Sequence, residues 1–288
     1  MTATETITSV DIEFNAKSHR YKIAGTKPAE YIPSVTTITG MLDKPFIPEW
    51  AAREAATEAA HAVAALDQAP DEEALLACID VGRKKPRSLR DEGAGTGTEV
   101  HQRVKMVLVP GWEPAEEDRV EGGNNPDADL AMEAFAEWWT ERQLEGWVVD
   151  HCERIVVHPS GSYVGTFDLV LHHPATGRYR IADFKTSNQS ADNPLALYPE
   201  YMFQLAAYRQ AVIASPEYDI DVIDDGEMVA LGKNGQLGST IIGGDDLDEY
   251  AVAFNHLAAT IGMVRKAQRD IRALNKIEKA RRAEGQDE

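Results

Sequence analysis

The stretch from Trp147 to Lys185 constrains this chain most. It holds three runs rich in β-branched and aromatic residues, Trp147–Val157, Tyr163–Leu171 and Arg178–Lys185. Between them lie His158-Pro-Ser-Gly-Ser162 and His173-Pro-Ala-Thr-Gly177, both with the chemistry of tight turns. Runs and turns of this length predict three consecutive antiparallel strands. The middle run reads YVGTFDLVL. Strict alternation would put Phe167, Leu169 and Leu171 on one face and Val164, Thr166, Asp168 and Val170 on the other. A carboxylate in such apolar company is costly unless a cation or hydrogen-bond donors meet it.

The third run ends RIADFKTS. Asp183 and Lys185 are two residues apart and project from one face, while Phe184 points into the opposite layer. The turn at 173–178 can bring Asp168 and Asp183 together. Adjacent carboxylates repel and favour protonation unless a cation lies between them. A divalent metal with hard oxygen ligands resolves that conflict, and a nearby lysine can hold a water and offset developing negative charge. Singly, each feature also has an ordinary reading. Asp183 and Lys185 can be a surface ion pair, and His101 a capping or packing residue. Gln204 and Tyr208, at i and i+4, can be plain helical neighbours.

Around this segment the chain reads as α+β, with the early helices packed on one side of the sheet. Residues 11–23 and 30–39 suggest short strands. Helices are expected over about 48–66 and 71–82, with Asp71 as N-cap. Arg83–Arg90 (RKKPRSLR) reads as a basic loop, and GAGTGTEVH as a Gly-rich entry to a helix ending near Leu108. An acidic loop follows at 112–126, with Gly122, Gly123 and Pro126, then a helix over 127–144. Further on, Glu200–Ala214 reads as a helix, Asp219–Leu231 and Leu237–Ile242 as strands around a Lys233-Asn-Gly-Gln236 turn, and 245–282 as one or two helices.

Composition narrows the function classes. A net charge of −19 argues against coating nucleic acid by charge alone. Charge is uneven, however. Arg83–Arg90 carries five basic groups and no acid, and Arg265–Arg282 carries eight against Asp270 and Glu278. Such runs are ordinarily solvated faces. Hydrophobic residues at 43% suffice for a core. No apolar run is long enough to span a membrane, and Met1–Val10 lacks a signal-peptide pattern, so a cytoplasmic protein without membrane association is expected. Two cysteines, Cys78 and Cys152, fit a reducing compartment and are too few for a four-thiolate iron–sulfur cluster.

Four motifs in order carry a resemblance: Gly97-Thr98-x-x-His101, Gly165-x-x-Asp168, Asp183-x-Lys185-Thr186 and Gln204-x-x-x-Tyr208. Together they resemble the RecB-like, Cas4-like branch of the PD-(D/E)XK nucleases, over about residues 30–210. Pro33-Ser-Val-Thr-Thr-Ile38, Lys44-Pro45 and Trp50 look like the opening of the phage members. The resemblance implies a restriction-endonuclease-like core, a mixed sheet flanked by helices with an N-terminal helical insertion. It implies a single nuclease domain over 1–288: N-terminal strands (1–45), a mainly helical part (46–145), the catalytic sheet with the QxxxY helix (146–245), and a C-terminal helix and tail (246–288).

By the same resemblance Asp168, Asp183 and Lys185 are catalytic. His101, Asp168, Asp183 and the Phe184 carbonyl would ligate Mg²⁺ or Mn²⁺, with Glu153, Gln204 and Tyr208 in supporting roles. The iron–sulfur cluster of Cas4-type members is excluded by the cysteine count. The implied activity is a DNA exonuclease leaving 5′-phosphates, since no base-reading motif is visible. Its partners would be linear single- or double-stranded DNA and a recombination or replication protein, with the oligomeric state left open. Arg83, Lys84, Lys85, Arg87 and Arg90 are the expected DNA contacts, with the 265–282 run next. The alternatives are a catalytically silent nucleic-acid- or partner-binding subunit and a sequence-specific endonuclease.

Overall fold

In a computed structural model, residues 8–15, 18, 20–27, 29–42, 44–116, 119, 125–190 and 193–284 are described. The centre is a five-stranded mixed sheet of β4 (Val148–Val157), β5 (Val164–His173), β6 (Arg178–Ser187), β7 (Asp225–Gly232) and β8 (Leu237–Gly243), in that order. The three expected strands pair antiparallel, as the turns dictate. β6 and β7 are parallel, so the chain must cross over between them. That crossover contains α5 (Pro199–Ala214). The strand expected from Asp219 begins only at Asp225. Asp219 itself has a left-handed backbone, φ 51°, which a β ladder does not accept.

Each face of the sheet carries its own core. On one, α1 (Val35–Thr39), α5 and α6 (Gly244–Glu284) pack Ile38, Leu205, Val212, Leu247 and Phe254 against Phe167, Val170, Ile181 and Met228. On the other, α3 (Glu72–Leu108) and α4 (Pro126–Glu145) pack Val100, Val104, Phe135 and Trp138 against Leu169, Leu171, Ala182 and Phe184. Helices therefore flank both faces of the sheet. α4 is bounded by the Asn125 side chain accepting from Ala128 N–H and by left-handed Gly146 at its end.

The fold departs from the sequence pattern in three further places. The 11–39 region forms a small antiparallel sheet, β1 (Ile12–Asn15), β2 (Arg20–Ile23) and β3 (Tyr31–Ile32), and Val35–Thr39 is the helix α1, not strand. Ser34 starts it, accepting a hydrogen bond from Thr37 N–H. Arg83–Arg90 is not a loop and GAGTGTEVH is not a helix entry, since both lie inside the unbroken α3. Ion pairs of Arg83 and Lys84 with Asp80, and of Arg87 with Asp91, support the helix through Pro86. Residue Gly82, whose carbonyl loses its partner at Pro86, lies against Ala55 and Ala59 of α2 (Phe46–Ala64).

β5 is the third such place. Leu169 and Leu171 share one core, but Phe167 lies in the opposite one with Val170. Alternation thus slips between Phe167 and Leu169, at Asp168.

The sheet also buries charge. Glu227 is fully buried on β7, bonded by Trp138 Nε1 at 2.9 Å, Arg142 at 3.1 Å and Arg180 at 3.3 Å. Arg180 is also paired with Asp225. No helix among the described residues is long and apolar enough to cross a membrane. Gly122 and Gly123 of the expected acidic loop lie outside the described residues.

Candidate metal centre

The slip in β5 is where the sheet opens. Pairing of β5 with β6 runs from His173–Arg178 to Leu169–Ala182 and stops one position before Asp168 would meet Asp183. On the other side, the pairs Cys152–Leu169 and Arg154–Phe167 place Glu153 opposite Asp168. Glu153 has a left-handed backbone, φ 49°, an unfavourable conformation for a non-glycine residue and a common one at functional sites. Instead of a strand carbonyl, the Phe184 N–H meets Asp168 Oδ2, at 2.7 Å. The ladder therefore gives way to carboxylates at one spot.

His101 reaches this spot from α3, the helix that covers the Leu169 face. Its Nδ1 lies 2.8 Å from Glu153 Oε1 and 3.6 Å from Asp168 Oδ1. The donor atoms of His101, Glu153 and Asp168 all fall within 4.8 Å of one another. On the other flank, Asp183 is fully buried. Its Oδ2 meets Lys185 Nζ at 2.5 Å, and its Oδ1 accepts from Gln204 Nε2 at 3.1 Å. Gln204 also lies 3.4 Å from the Tyr208 hydroxyl. The Phe184 ring packs edge-on against Phe135 and Trp138, and the His101 ring stands edge-on to it with centroids 6.5 Å apart.

The electrostatics follow from burial and proximity. Burial opposes a charged His101, but Asp168 and Glu153 outweigh it and hold the imidazole pKa up to about 9. Burial raises Asp168, with Glu153 adding to it and His101 and Lys185 opposing. Burial likewise pushes Asp183 up to about 6 against the pull of Lys185, with Asp168 contributing upward. Lys185 is raised, because Asp183 and Asp168 overcome the cost of burying its charge.

This donor set suits a divalent cation. With neutral His101, the carboxylates of Glu153, Asp168 and Asp183 face one ammonium, Lys185, leaving two negative charges in a buried place. Without a metal, the site draws a proton onto His101 to relieve that excess. Carboxylate oxygens with one imidazole match hard and borderline divalent ions.

A family model for the PD-(D/E)XK nuclease superfamily matches residues 58–284. The chain belongs to that superfamily. The match spans α3 through α6 and so includes every residue of the site just described. Membership in the PD-(D/E)XK superfamily points to a metal-dependent nuclease that acts on nucleic acid. A search of curated proteins found no match.

The sequence motifs thus fall in one place: His101, Asp168, Asp183, Lys185, Gln204 and Tyr208 share this end of the sheet. Glu153 stands closer to His101 than either aspartate of the motifs. Arg83, Lys84, Lys85, Arg87 and Arg90 lie elsewhere on α3. Arg90, the nearest in sequence, is eleven residues before His101, about 17 Å along the helix at 1.5 Å per residue.

Three contacts lay outside the motif reading. Lys185 Nζ lies 5.0 Å from the centre of the Tyr201 ring, and Tyr201 precedes Gln204 by three residues, a helical spacing visible in sequence. Lys44 pairs with Glu200 at the start of α5. Tyr21 of the small sheet bonds Thr166, two residues before Asp168, at 3.0 Å, and no local signal announces that pairing.

One glycine has a clear steric reason. A Cβ on Gly165 would stand 2.5 Å from Tyr208 Cε1, so the ring lies directly on the β5 backbone.

Proposed function

We propose that this protein is a Mg²⁺- or Mn²⁺-dependent deoxyribonuclease of the RecB-like branch, without an iron–sulfur cluster, that hydrolyses DNA from its ends and leaves 5′-phosphates. The observation that carries the reading is the convergence of His101, Glu153 and Asp168 beside the Asp183–Lys185 pair. The choice of branch rests on the four motifs and their order, and that of an exonuclease on the lack of a base-reading motif in the sequence.

His101, Glu153, Asp168, Asp183 and the Phe184 carbonyl would hold the cation. A divalent ion there would supply Lewis-acid polarisation of the scissile phosphate and a more acidic water. The chain's own groups set the rest. Phe184 N–H fixes Asp168 by one oxygen and leaves the other towards His101. Gln204 fixes Asp183 in the same way, through Oδ1, and Tyr208 backs Gln204. Lys185 keeps its proton, because the carboxylates beside it raise its pKa. It therefore acts as a donor that orients the attacking water and offsets charge growing on the phosphate, not as the base that removes a proton.

The test is purified protein with Mn²⁺ or Mg²⁺ on end-labelled linear DNA, single- and double-stranded, beside covalently closed circles. The proposal expects metal-dependent shortening of linear DNA and intact circles. Discrete fragments from circles would favour a sequence-specific endonuclease, and binding without products a silent subunit.

A further inference from the structure

A groove of about 900 Å³ lies between the small N-terminal sheet and α6, and it collects unneutralised arginines. Arg20 comes from β2, and Arg265, Arg269 and Arg272 from α6. The last three recur at i, i+4 and i+7, so one face of the helix presents all of them. Gln268 lies on that face too, and Glu30 is the acid in the lining. Among the described residues, none of the four arginines pairs with a carboxylate, in a chain of net charge −19. The Arg83–Arg90 run behaves differently: Arg83 and Lys84 are met by Asp80, Lys85 by Glu58, and Arg87 and Arg90 by Asp91. Arg265 feels the crowding. Burial, then the charges of Arg20 and Arg269, lower its pKa.

The groove is joined to the strand that carries Asp168. Tyr21, next to Arg20, bonds Thr166 of β5. Pro33, between the groove-lining Ile32 and Ser34, accepts the Val164 N–H at 3.1 Å. From Val164 to Asp168 is four residues, about 13 Å of strand. A polyanion held by the arginines is thus within reach of the carboxylates after a short further run.

We propose that this groove binds the phosphodiester backbone of the nucleic-acid substrate, with Arg20, Arg265, Arg269 and Arg272 as its phosphate contacts. The proposal rests on the nuclease reading for the identity of the polyanion. Planar guanidiniums suit phosphate oxygens, and phosphates would relieve the mutual repulsion of clustered cations. The contacts carry no base information, so binding there is indifferent to sequence.

The test is the binding of a fluorescent single-stranded oligonucleotide in EDTA, followed by anisotropy across a salt series. Cleavage plays no part in that readout. The triple variant Arg265→Gln, Arg269→Gln, Arg272→Gln should flatten the slope of log K against log salt by about 2, at roughly 0.7 per phosphate contact on single strands. Arg20→Gln should flatten it by a further ~0.7. Arg→Lys replacements at the same positions should keep the slope, which shows that charge and not folding is at issue. Replacing Arg83, Lys84, Lys85 and Arg87 by Gln should leave it unchanged. An unaltered slope in the triple variant, or loss of slope only in the Arg83–Arg87 variant, overturns the proposal while leaving the nuclease reading intact. Arginine-dependent binding by a protein that cleaves nothing in Mn²⁺ would keep the groove and sink the nuclease reading instead.

Discussion

His101 Nδ1 stands 2.8 Å from Glu153 Oε1, so a helix on one face of the sheet is tied to a left-handed residue in an edge strand. In the absence of metal this contact is between an imidazolium and a carboxylate. The pKa of about 9 on His101 has two consequences of opposite sign.

The imidazolium stabilises the metal-free fold fully below the ordinary histidine value of about 6.5, and that contribution is lost as pH rises through about 9. Asp183, raised to about 6, adds a loss of the same sign at lower pH. Metal binding should run the other way, because an imidazole ligand must be neutral. Apparent Mn²⁺ affinity should climb from pH 6.5 to 9, with close to one proton released per ion. Calorimetry in buffers of different ionisation enthalpy measures that proton. Metal affinity flat across this window would remove His101 from the ligand set.

His101→Ala should weaken Mn²⁺ binding and narrow the preference for Mn²⁺ over Mg²⁺, since imidazole favours the later metals. Glu153→Gln should weaken both ions, by about tenfold or more for a partner that orients or ligates. Titration of each ion into each variant checks this. A fall in melting temperature with metal dependence unchanged would mean that His101 only packs.

Gly165→Ala should disturb the site through Tyr208. The added methyl would stand 2.5 Å from Cε1, and overpacking of this kind costs about 1–3 kcal/mol. Combined with Tyr208→Ala, the two costs should add to less than their sum, because the clash disappears with the ring. Urea denaturation of the two single variants and the double variant reads this coupling. Strict additivity would contradict it.

Glu227→Ala should be among the most damaging changes away from the site. It leaves Arg142 and Arg180 without a shared buried partner, a loss of about 3–5 kcal/mol. Denaturation should show that loss while Mn²⁺ affinity of the folded fraction holds. A loss under 1 kcal/mol would mean that water or Asp225 replaces Glu227 at little cost.

The sequence was legible where its signals are local. Proline-glycine turns at 158–162 and 173–177 announced the antiparallel strands, and the two-residue spacing of Asp183 and Lys185 announced their shared face. Alternation failed at Phe167 because it assumes a continuous ladder, and the ladder opens where Phe184 N–H bonds a carboxylate instead. Arg83–Arg90 read as a loop because Pro86 and the following glycines weigh against a helix locally. Ion pairs along α3 and packing on α2 override them. The parallel pairing of β6 with β7 and the burial of Glu227 depend on contacts across tens of residues, and charged side chains ordinarily signal surface. Arg20 and Arg265 meet for the same long-range reason.

If the buried carboxylates and Lys185 serve metal-dependent hydrolysis of DNA, that hydrolysis needs each of them. Its most direct measurement is single-turnover cleavage of end-labelled linear DNA by the wild type and by Asp168→Ala, Asp183→Ala and Lys185→Ala, each checked for native folding, in Mn²⁺ and in excess EDTA. Cleavage is expected from the wild type in Mn²⁺ alone, with rates in all three variants lower by at least about a hundredfold, the scale of losing one catalytic donor. Wild-type cleavage that persists in EDTA, or an undiminished rate in any one of the three variants, would contradict it.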